Sequence, residues 1–447
     1  MNSPEFLLLA FNNLPFLIIL SIALTLLLYR MTSRITGGLS DPFHFYYAFT
    51  FGTSYAVVGL LAIKGYIGPP EIAIVVGYGL VFLVGYRSFS RVSTSWLYRT
   101  IRFVDGGQTF FHVALVIYSI VAIIYVMFAG LPFLSTNRFE TNQGFFTFVR
   151  VMDPLRLFIV GYLAIRITNR KRKNRFWLGC GTVVFMIISS LLNGAKFALL
   201  ETAYVAAVAI AISSHRKALP NKKIIWPAIA VLFFATIYAL VQLFFNFHEV
   251  DSSASAQAQY ITGTPLVIEQ FSIRIISNGD MYFMGLPPAV LHSLRVEHPI
   301  AQLFGPILGG GPIPSLLGYQ LGPDIGEQIK LYWNPFTHDL GGPTDHFDLV
   351  AYVYFGPLLG VLFVMCLALL LAQITRLKQN WYSAIGCSVV ATLYCSSLPL
   401  LLNPSAGLLL IVDVFAVFAI VTVFAKILKT ATLTKWSLIP PLPTDLE

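Results

Sequence analysis

The sequence is poor in charged residues and in cysteine. Asp, Glu, Lys and Arg make up 11% of its 447 residues, whereas 57% are hydrophobic, and the mean hydropathy is +0.75. A soluble domain could not bury this much apolar surface, so the composition excludes that class and indicates a polytopic membrane protein. The four cysteines all lie in hydrophobic segments without the spacing of metal ligands, which favours packing roles.

The chain also lacks several motifs that would define other classes. It has no internal repeat and no pair of Gly/Pro-broken spans at matching positions, which argues against an inverted-repeat transporter. The glycine-rich segment 305–318 has no following Gly-Lys-Ser/Thr and no preceding strand, so it is not a nucleotide-binding loop. It is interpreted as a Gly/Pro turn, with a backbone cradle for a pyrophosphate or a sugar as the alternative. The basic runs lie in short loops without a nucleic-acid module, so no nucleic-acid partner is expected.

Long apolar segments predict an all-α protein with about eleven transmembrane helices. Each segment approaches the 20 or so residues that a hydrocarbon core of about 30 Å requires. The predicted spans are 5–29, 43–63, 70–89, 109–129, 154–169, 176–192, 197–214, 224–246, 347–372, 381–402 and 405–425. The chain therefore divides into spans 1–8 (1–246), a large outer loop (247–346), spans 9–11 (347–425) and a tail (426–447), which is predicted to be unstructured after Lys429.

The basic residues set the predicted orientation. Of the 29 Lys and Arg residues, 21 fall on one side of the predicted spans, and the positive-inside rule makes that side cytoplasmic. The N-terminus is then outside and the C-terminus in the cytoplasm. The net charge of +9 reflects this topology and attraction to lipid surfaces rather than a nucleic-acid partner.

The large outer loop carries its own pattern of breaks and apolar positions. A polar segment, 248–264, is predicted to be a mobile entry. Two short amphipathic helices are predicted after it, and both are expected to lie in the interface over the outer leaflet. The first begins at Pro265 and ends at Asn278 and Gly279, and the second runs from Pro287 through Val296 and is ended by Pro299.

Asp345, His346 and Asp348 lie where this loop meets the ninth predicted span, in the sequence GGPTDHFDLVAYVYFGPLLG (341–360). A histidine beside carboxylates can accept a proton from a sugar hydroxyl, because a carboxylate orients the ring and stabilises its protonated form. The alternative is a helix N-cap, in which Asp345 and Asp348 complement the helix dipole. Asp413, in the last span, is predicted to make a polar contact within the bundle rather than to catalyse.

Two cations stand in strongly apolar sequence: Lys196 in SSLLNGAKFALLE and Arg274 in EQFSIRIIS. A cation at bilayer depth costs roughly 2.5–3.5 kcal/mol, so each is expected to have a partner. That partner is either a structural acid, Glu201 for Lys196 and Glu269 for Arg274, or the pyrophosphate of a lipid. Arg138, in the first outer loop, is a third candidate for the pyrophosphate.

These segments resemble those of the Wzy-type O-antigen polymerases and the related O-antigen ligases. DHFDLVAYVYFGPLLG is similar to the family's closing motif, in which a polar His/Asn element leads into a span with Gly-x-x-x-Gly-like spacing. NGAKFALLE and EQFSIRIIS resemble its basic turn and its arginine-bearing loop segment. The layout of spans is also similar over nearly the whole chain. One departure is that relatives often have His-Asn followed by Leu three residues after the Asn, so His346 is displaced by one position here.

The resemblance implies an inverting glycosyltransferase of the membrane-embedded GT-C type in the bacterial inner membrane. It would join oligosaccharide repeat units linked to undecaprenyl pyrophosphate at the periplasmic face, with a Wzz-type chain-length regulator as a possible partner. Arg274, Lys196 and Arg138 would bind the pyrophosphate and stabilise the charge that develops on it. His346, Asp345 or Asp348 would activate the attacking hydroxyl. No metal and no cofactor are expected, because cations can stabilise the leaving group and the carboxylates are few and scattered.

Two other functions share parts of this pattern. An O-antigen ligase would transfer the polymer to the lipid A core instead of to a further repeat unit. A flippase or another transporter of lipid-linked oligosaccharides is the non-enzymatic alternative, although a transporter should place its polar residues near the bilayer midplane. A purely structural role would not need buried cations facing one leaflet.

Overall fold

The computed structural model describes residues 3–93, 95–102, 104, 107–130, 145–169, 172–193, 198–216, 272–273, 275–308, 322–336, 342–379 and 381–437. This part of the chain is all-helical, with 85% of residues in helices and no strand. The fold class predicted from the sequence is confirmed at this level. The α-helices are α1 (Ser3–Asn12), α2 (Leu14–Thr36), α3 (Thr50–Ile63), α4 (Pro69–Phe89), α5 (Ser95–Arg102), α6 (Gln108–Ala129), α7 (Phe146–Asn169), α8 (Arg172–Asn193), α9 (Ala198–Ser213), α10 (Asp280–Gly285), α11 (Pro288–Leu291), α12 (Pro299–Leu308), α13 (Ile325–Trp333), α14 (Phe347–Leu377), α15 (Ala384–Ser397) and α16 (Pro404–Ser437).

Eight helices of the described part are long and apolar enough to cross a membrane, as expected of a multi-pass membrane protein. They cover Leu14–Thr36, His44–Ile63, Pro69–Phe89, Gln108–Ala129, Arg175–Asn193, Phe347–Leu377, Ala384–Leu401 and Pro404–Thr430. Large apolar side chains on several of them point outward, among them Ile19, Val84, Met127 and Leu358. Contact of these outward-facing apolar side chains with lipid is favourable, whereas their contact with water is unfavourable.

Several predicted spans differ from these helices. The first predicted span is interrupted at Asn13, where α1 ends and α2 begins, so the spanning helix starts at Leu14. The 24-residue helix α7 is long enough to span but carries Arg150, Asp153 and Arg156 in its first half. Helix α9 has only 16 residues, and the predicted span 224–246 lies outside the described residues. The prediction that structure ends after Lys429 is wrong, because α16 continues to Ser437.

The chain divides into two compact units. The first comprises Met1–Thr94, His215–Gln379 and Tyr394–Val412, and the second comprises Ser95–Ser214, Asn380–Leu393 and Asp413–Glu447. In the first unit α2 packs on α3 and α4 packs on α14. In the second unit α7 packs against α6, α8 and α9, and the rings of Phe110, Phe158 and Phe418 form edge-to-face pairs in its core.

The loop helices of the first unit are buried within protein. Met281, Tyr282 and Leu286 are fully buried, and the ring of Phe283 stacks on that of Phe6 at 4.1 Å. The prediction that the second of these helices lies on the outer leaflet is therefore wrong at 288–291, because Val290 and Leu291 are buried within the protein. Helix α11 ends at Leu291 rather than Val296, and Pro299 begins α12 instead of ending a helix, as suits a first helical position.

The predicted helix end at Asn278 and Gly279 coincides with a break between two α-helical segments, 275–276 and α10. These residues form a 3-10 turn, Ser277–Gly279, that runs directly into α10. A Cβ at Gly279 would lie 2.7 Å from the side chain of Val57 on α3. Glycine is needed here because the turn packs closely on a spanning helix.

Helix α14 bends at Gly356 and Pro357. Gly356 has φ 69° and ψ −176°, a conformation open to glycine and strained for other residues. Pro357 has no N–H to donate to the preceding turn, and at the same bend the hydroxyl of Tyr78 on α4 donates to the carbonyls of Gly356 at 3.0 Å and Pro357 at 3.2 Å. The Gly-x-x-x-Gly spacing of Gly356 and Gly360 thus marks a bend in α14, and two carbonyl groups at this bend accept hydrogen bonds from α4.

A buried ion pair joins distant parts of the first unit. Lys378, at the end of α14, donates to Asp41, and the hydroxyl of Tyr394 donates to the same carboxylate at 2.6 Å. The Lys378 ammonium also lies 4.1 Å from the centre of the Tyr394 ring. Asp41 and Lys378 are 2% and 5% exposed, so each charge depends on the other for compensation.

We predict that Asp41→Asn or Lys378→Met alone destabilises the protein by about 3–5 kcal/mol, since each leaves an uncompensated buried charge. The double variant should recover much of that loss. Equilibrium unfolding in detergent measures the effect, and Lys64→Met, which removes an exposed lysine of the same unit, is the control. Single variants as stable as this control would show that the pair contributes nothing.

Candidate functional site

Three of the six predicted site residues, Asp345, His346 and Asp348, are described, and all three lie at the start of α14. They are 4%, 1% and 0% exposed. Their burial shows that the predicted acid/base residues are enclosed by protein rather than exposed on an open surface. The three predicted pyrophosphate ligands, Arg274, Lys196 and Arg138, lie outside the described residues, so their roles remain predictions.

Asp348 connects the large loop to two spanning helices. It lies in the first turn of α14, and its Oδ2 accepts hydrogen bonds from the hydroxyls of Tyr282 on α10 at 2.6 Å and Tyr55 on α3 at 3.4 Å. Its Oδ1 accepts from the backbone N–H of Leu349 at 2.8 Å. A buried carboxyl group without such donors would be costly, so these contacts hold the loop helix against the spans.

His346 is the N-cap residue of α14, with φ −62° and ψ 141°, but its side chain makes no capping hydrogen bond. Its ring lies 5.0 Å from the rings of Phe51 and Tyr282, and its buried Nδ1 has no hydrogen-bond partner. Burial lowers the pKa of His346 to about 3. The imidazole is therefore neutral at physiological pH, and it can accept a substrate proton only after the surrounding aromatic side chains move.

Asp345 does not cap α14, so the capping prediction is wrong for this residue. Its Oδ1 accepts instead from the backbone N–H of Gly326 on α13 at 2.7 Å, because the chain before α14 passes against the start of that helix. Burial, together with the nearby carboxylates of Asp324 and Asp280, raises the pKa of Asp345 well above its ordinary value. Asp345 therefore holds its proton at a pH where exposed carboxylates have lost theirs.

Asp280 joins this cluster, and the sequence interpretation missed it. It is the first residue of α10 and accepts hydrogen bonds from the backbone N–H groups of Met281, at 2.7 Å, and of Thr344. Burial raises the pKa of Asp280 to about 7. The only signal in the sequence was its position directly after Asn278–Gly279, which was interpreted as the end of a helix.

The turn before Asp280 is fixed on α3 by polar contacts. The side-chain amide of Asn278 donates to Thr53 Oγ1 at 3.1 Å, and Ser54 Oγ donates to the carbonyl of Asn278 at 2.6 Å. The loop segment and the spanning helix therefore form one supported surface. This support restricts the position of Asp280, as a residue that exchanges protons with a bound substrate requires.

The acidic cluster, defined as Asp280, Asp345 and Asp348, combines the carboxyl group of Asp280, whose pKa is near neutral, with tyrosine hydroxyls that donate to Asp348. Asp280 has the pKa best suited to a general base, because a base is most effective when its pKa is near the working pH. Among the described residues, no group of three His, Cys, Asp or Glu side chains is placed to hold a metal ion. The cluster is thus suited to proton transfer at a hydroxyl.

The second unit has a separate polar cluster, built by Arg156. Its guanidinium contacts Glu201 at 3.1 Å and Asp153 at 3.3 Å, and Asn193 donates to Asp153 at 2.6 Å. Glu201, predicted to pair with Lys196, thus pairs with Arg156 in the described structure. Asn193 and Glu201 flank, in the sequence, the turn that contains Lys196.

The predicted role of Asp413 as a bundle contact is confirmed within the second unit. Arg150 on α7 binds its carboxylate through both Nε and Nη2, at 3.0 and 2.7 Å. A guanidinium fork matches a carboxylate in this two-point geometry. The carboxylate of Asp413 therefore makes a structural ion pair with Arg150.

The fold and the cluster define a polytopic membrane protein with an ionisable site where its large loop meets its spans. Comparison of the chain with protein-family models, with curated proteins and with solved structures found no match. A functional assignment therefore depends on the chemistry of the residues and on the resemblance of their motifs.

We predict that Tyr282→Phe destabilises the protein by about 1–3 kcal/mol, because it leaves a buried carboxyl oxygen without its shortest donor. Tyr55→Phe removes the longer bond to the same oxygen and is the matched control, for which a smaller loss is expected. Unfolding free energies measured in detergent compare the two variants. Equal losses would show that the hydrogen bond of Tyr282 does not anchor the loop.

A pH dependence is expected from Asp280. Its pKa is about 7 in the folded protein against an ordinary value of 3.8, so the folded state binds the extra proton between these values. Stability from this group should therefore fall as the pH rises from about 4 to 7. His346 acts in the opposite direction, because its folded pKa of about 3 lies below its ordinary 6.5.

The difference in melting temperature between wild type and Asp280→Asn isolates this contribution, since His346 is common to both proteins. The wild type should lose stability relative to Asp280→Asn as the pH rises through that window. A difference that does not change with pH would show that Asp280 ionises normally.

Proposed function

We propose that this protein is an O-antigen polymerase: a GT-C-type inverting glycosyltransferase that joins oligosaccharide repeat units linked to undecaprenyl pyrophosphate. In this proposal it lies in the bacterial inner membrane, with its N-terminus and large loop in the periplasm and its C-terminus in the cytoplasm. The observation that supports the proposal most strongly is the acidic cluster at the junction of loop and spans. A polymerase needs its proton acceptor there, because its lipid-linked substrates lie in the membrane with their sugars outside.

In the proposed reaction, a hydroxyl oxygen of one repeat unit attacks C1 of the reducing-end sugar of the growing chain. A bond forms between this oxygen and C1, and the bond from C1 to the pyrophosphate oxygen breaks with inversion at C1. The hydroxyl proton passes to a carboxylate, and undecaprenyl pyrophosphate leaves with its bonding electron pair. The extended chain remains attached to the carrier lipid of the repeat unit whose hydroxyl attacked.

Among the proposed site residues, Asp280 is the best-suited proton acceptor. It is partly exposed, whereas Asp345 is bound to Gly326, Asp348 is bound to two tyrosines and His346 is enclosed. Asp348 and Asp345 then act by positioning the loop around Asp280. Should the aromatic side chains around His346 move when substrate binds, the imidazole becomes a second acceptor.

The leaving group requires cations beside it, because negative charge develops on the diphosphate as its bond to C1 breaks. Arg274 lies six residues before Asp280 in the sequence, so the loop segment that supplies the proton acceptor also supplies a cation. Lys196 and Arg138 are the further proposed ligands of the pyrophosphate. A cation that binds the diphosphate more strongly as charge develops would accelerate the reaction directly.

We predict that Asp280→Asn lowers the initial rate of chain elongation by about 10²-fold or more, the usual contribution of a general base. Purified protein in lipid vesicles, supplied with carrier-linked repeat unit, gives this rate from the growth of a product ladder on gels. Glu327→Gln, which replaces a carboxylate by an amide on the same loop, is the matched control and should retain most of the activity. Arg274→Ala and Lys196→Ala should also slow elongation.

The products distinguish the proposal from its alternatives. A ligase would leave full-length polymer on the carrier lipid in a deletion strain, whereas loss of a polymerase leaves single repeat units.

Elongation at the wild-type rate by Asp280→Asn would show that Asp280 is not the proton acceptor. Elongation at the wild-type rate by both cation variants would remove those residues from the pyrophosphate site.

A further inference from the structure

The large loop contains an open polar groove apart from the acidic cluster. One wall is the segment 295–298 together with the start of α12, and the other is the segment 322–323 together with α13. The groove has a volume of about 470 Å³, which falls within the range of pockets that bind small molecules. Residues that line it include Arg295, His298, Ala301, Gln302, Pro323 and Gln328.

Two glutamine side chains hold the walls of this groove together. The amide of Gln328 accepts from the backbone N–H of Arg295 at 3.1 Å and donates to the carbonyl of Pro323 at 3.0 Å. On the other side, Gln302 donates to the carbonyl of Gly322 at 2.7 Å. The groove is therefore shaped before any ligand arrives, which reduces the entropy lost on binding.

The helices behind the groove are anchored in the core of the first unit. Leu303 on α12 and Ile329 on α13 are buried, and the indole N–H of Trp333 donates to the carbonyl of Met284 at 3.0 Å. Substitutions at the exposed lining are thus expected to change the groove without unfolding the loop.

The chemistry of the lining favours an uncharged, hydroxyl-rich ligand. Amide, guanidinium and imidazole groups offer donors and acceptors, and the charges of Arg295 and Glu297 oppose each other, so no strong net charge selects an ion. Tyr332 is not among the residues that line the groove, but it lies one helical turn after Gln328 on the same face of α13 and is 43% exposed, so its ring stands at the edge of the groove. An exposed aromatic ring beside hydrogen-bonding amides can stack on the apolar face of a sugar.

We propose that this groove binds an uncharged segment of the repeat-unit oligosaccharide and helps to select which repeat units are joined. The inference rests on the proposed function, which supplies the lipid-linked oligosaccharide as the ligand. The groove contacts sugars away from the reacting hydroxyl. It therefore contributes to substrate binding and selection rather than to proton transfer.

The test uses Ala301→Trp, which fills the groove, and Ile300→Trp as the matched control. Ile300 is the preceding residue of the same helix, is 67% exposed and is not part of the lining. The probe is the repeat-unit oligosaccharide released from its carrier lipid, and calorimetry with the purified full-length protein measures its affinity. Ala301→Trp should weaken binding by about tenfold or more, whereas Ile300→Trp should leave it unchanged.

Tyr332→Ala is a second variant, at an exposed position, in case Ala301→Trp lowers the melting temperature. It should weaken binding by removing the stacking surface. Wild-type affinity in both variants, or no binding of the oligosaccharide by wild type, would overturn the inference.

The two proposals fail separately. If wild type elongates carrier-linked repeat units but neither groove variant changes oligosaccharide affinity, the groove proposal is wrong and the polymerase proposal stands. If wild type binds the oligosaccharide in the groove but produces no ladder, the sugar-binding site stands and the polymerase proposal is wrong.

Discussion

The hydrogen bond from Tyr282 to Asp348 is the interaction on which the site depends. It joins the helix after the 3-10 turn of the large loop to the first turn of a spanning helix, and Tyr55 adds a donor from a third helix. Because a carboxyl group in an apolar interior must keep its donors, these three helices cannot separate without cost. Asp280, only two residues before Tyr282, therefore has a defined position although it belongs to a long loop.

The same requirement explains the other buried charges. In the first unit Lys378 and Asp41 compensate each other, with Tyr394 bound to the same carboxylate. In the second unit Arg156 is compensated by Glu201 and Asp153. The charges of these two clusters are thus each paired within their own unit, as is expected where neither lipid nor apolar protein can solvate an ion.

Much of the helical architecture could be predicted from the sequence, because apolar length is a strong signal for a spanning helix. The sequence also predicted that Asp413 makes a contact within the bundle, and that a spanning helix begins at Asp345, His346 and Asp348. The break at Asn13 was missed, since apolar residues continue on both sides of it. Local sequence carries little information about such a break when the chain is hydrophobic throughout.

The part of the site that the sequence did not reveal depends on tertiary contacts. Asn278 and Gly279 have the composition of a helix end, but Gly279 serves a close contact with Val57 and the helical chain continues. Asp280 was overlooked for that reason, and its raised pKa arises from burial that no local pattern encodes. Likewise, the pairing of Asp345 with Gly326 brings together residues far apart in sequence, which overrides the local capping signal.

We propose that the loop–span junction catalyses bond formation between lipid-linked sugars on the outer side of the membrane. The most direct measurement supplies carrier-linked repeat unit only to the outer leaflet of vesicles that contain the purified protein. The account predicts products of two and more repeat units on the carrier lipid, with inverted configuration at each newly bonded C1. Movement of unchanged single units to the inner leaflet, without any longer product, would contradict it and identify a transporter.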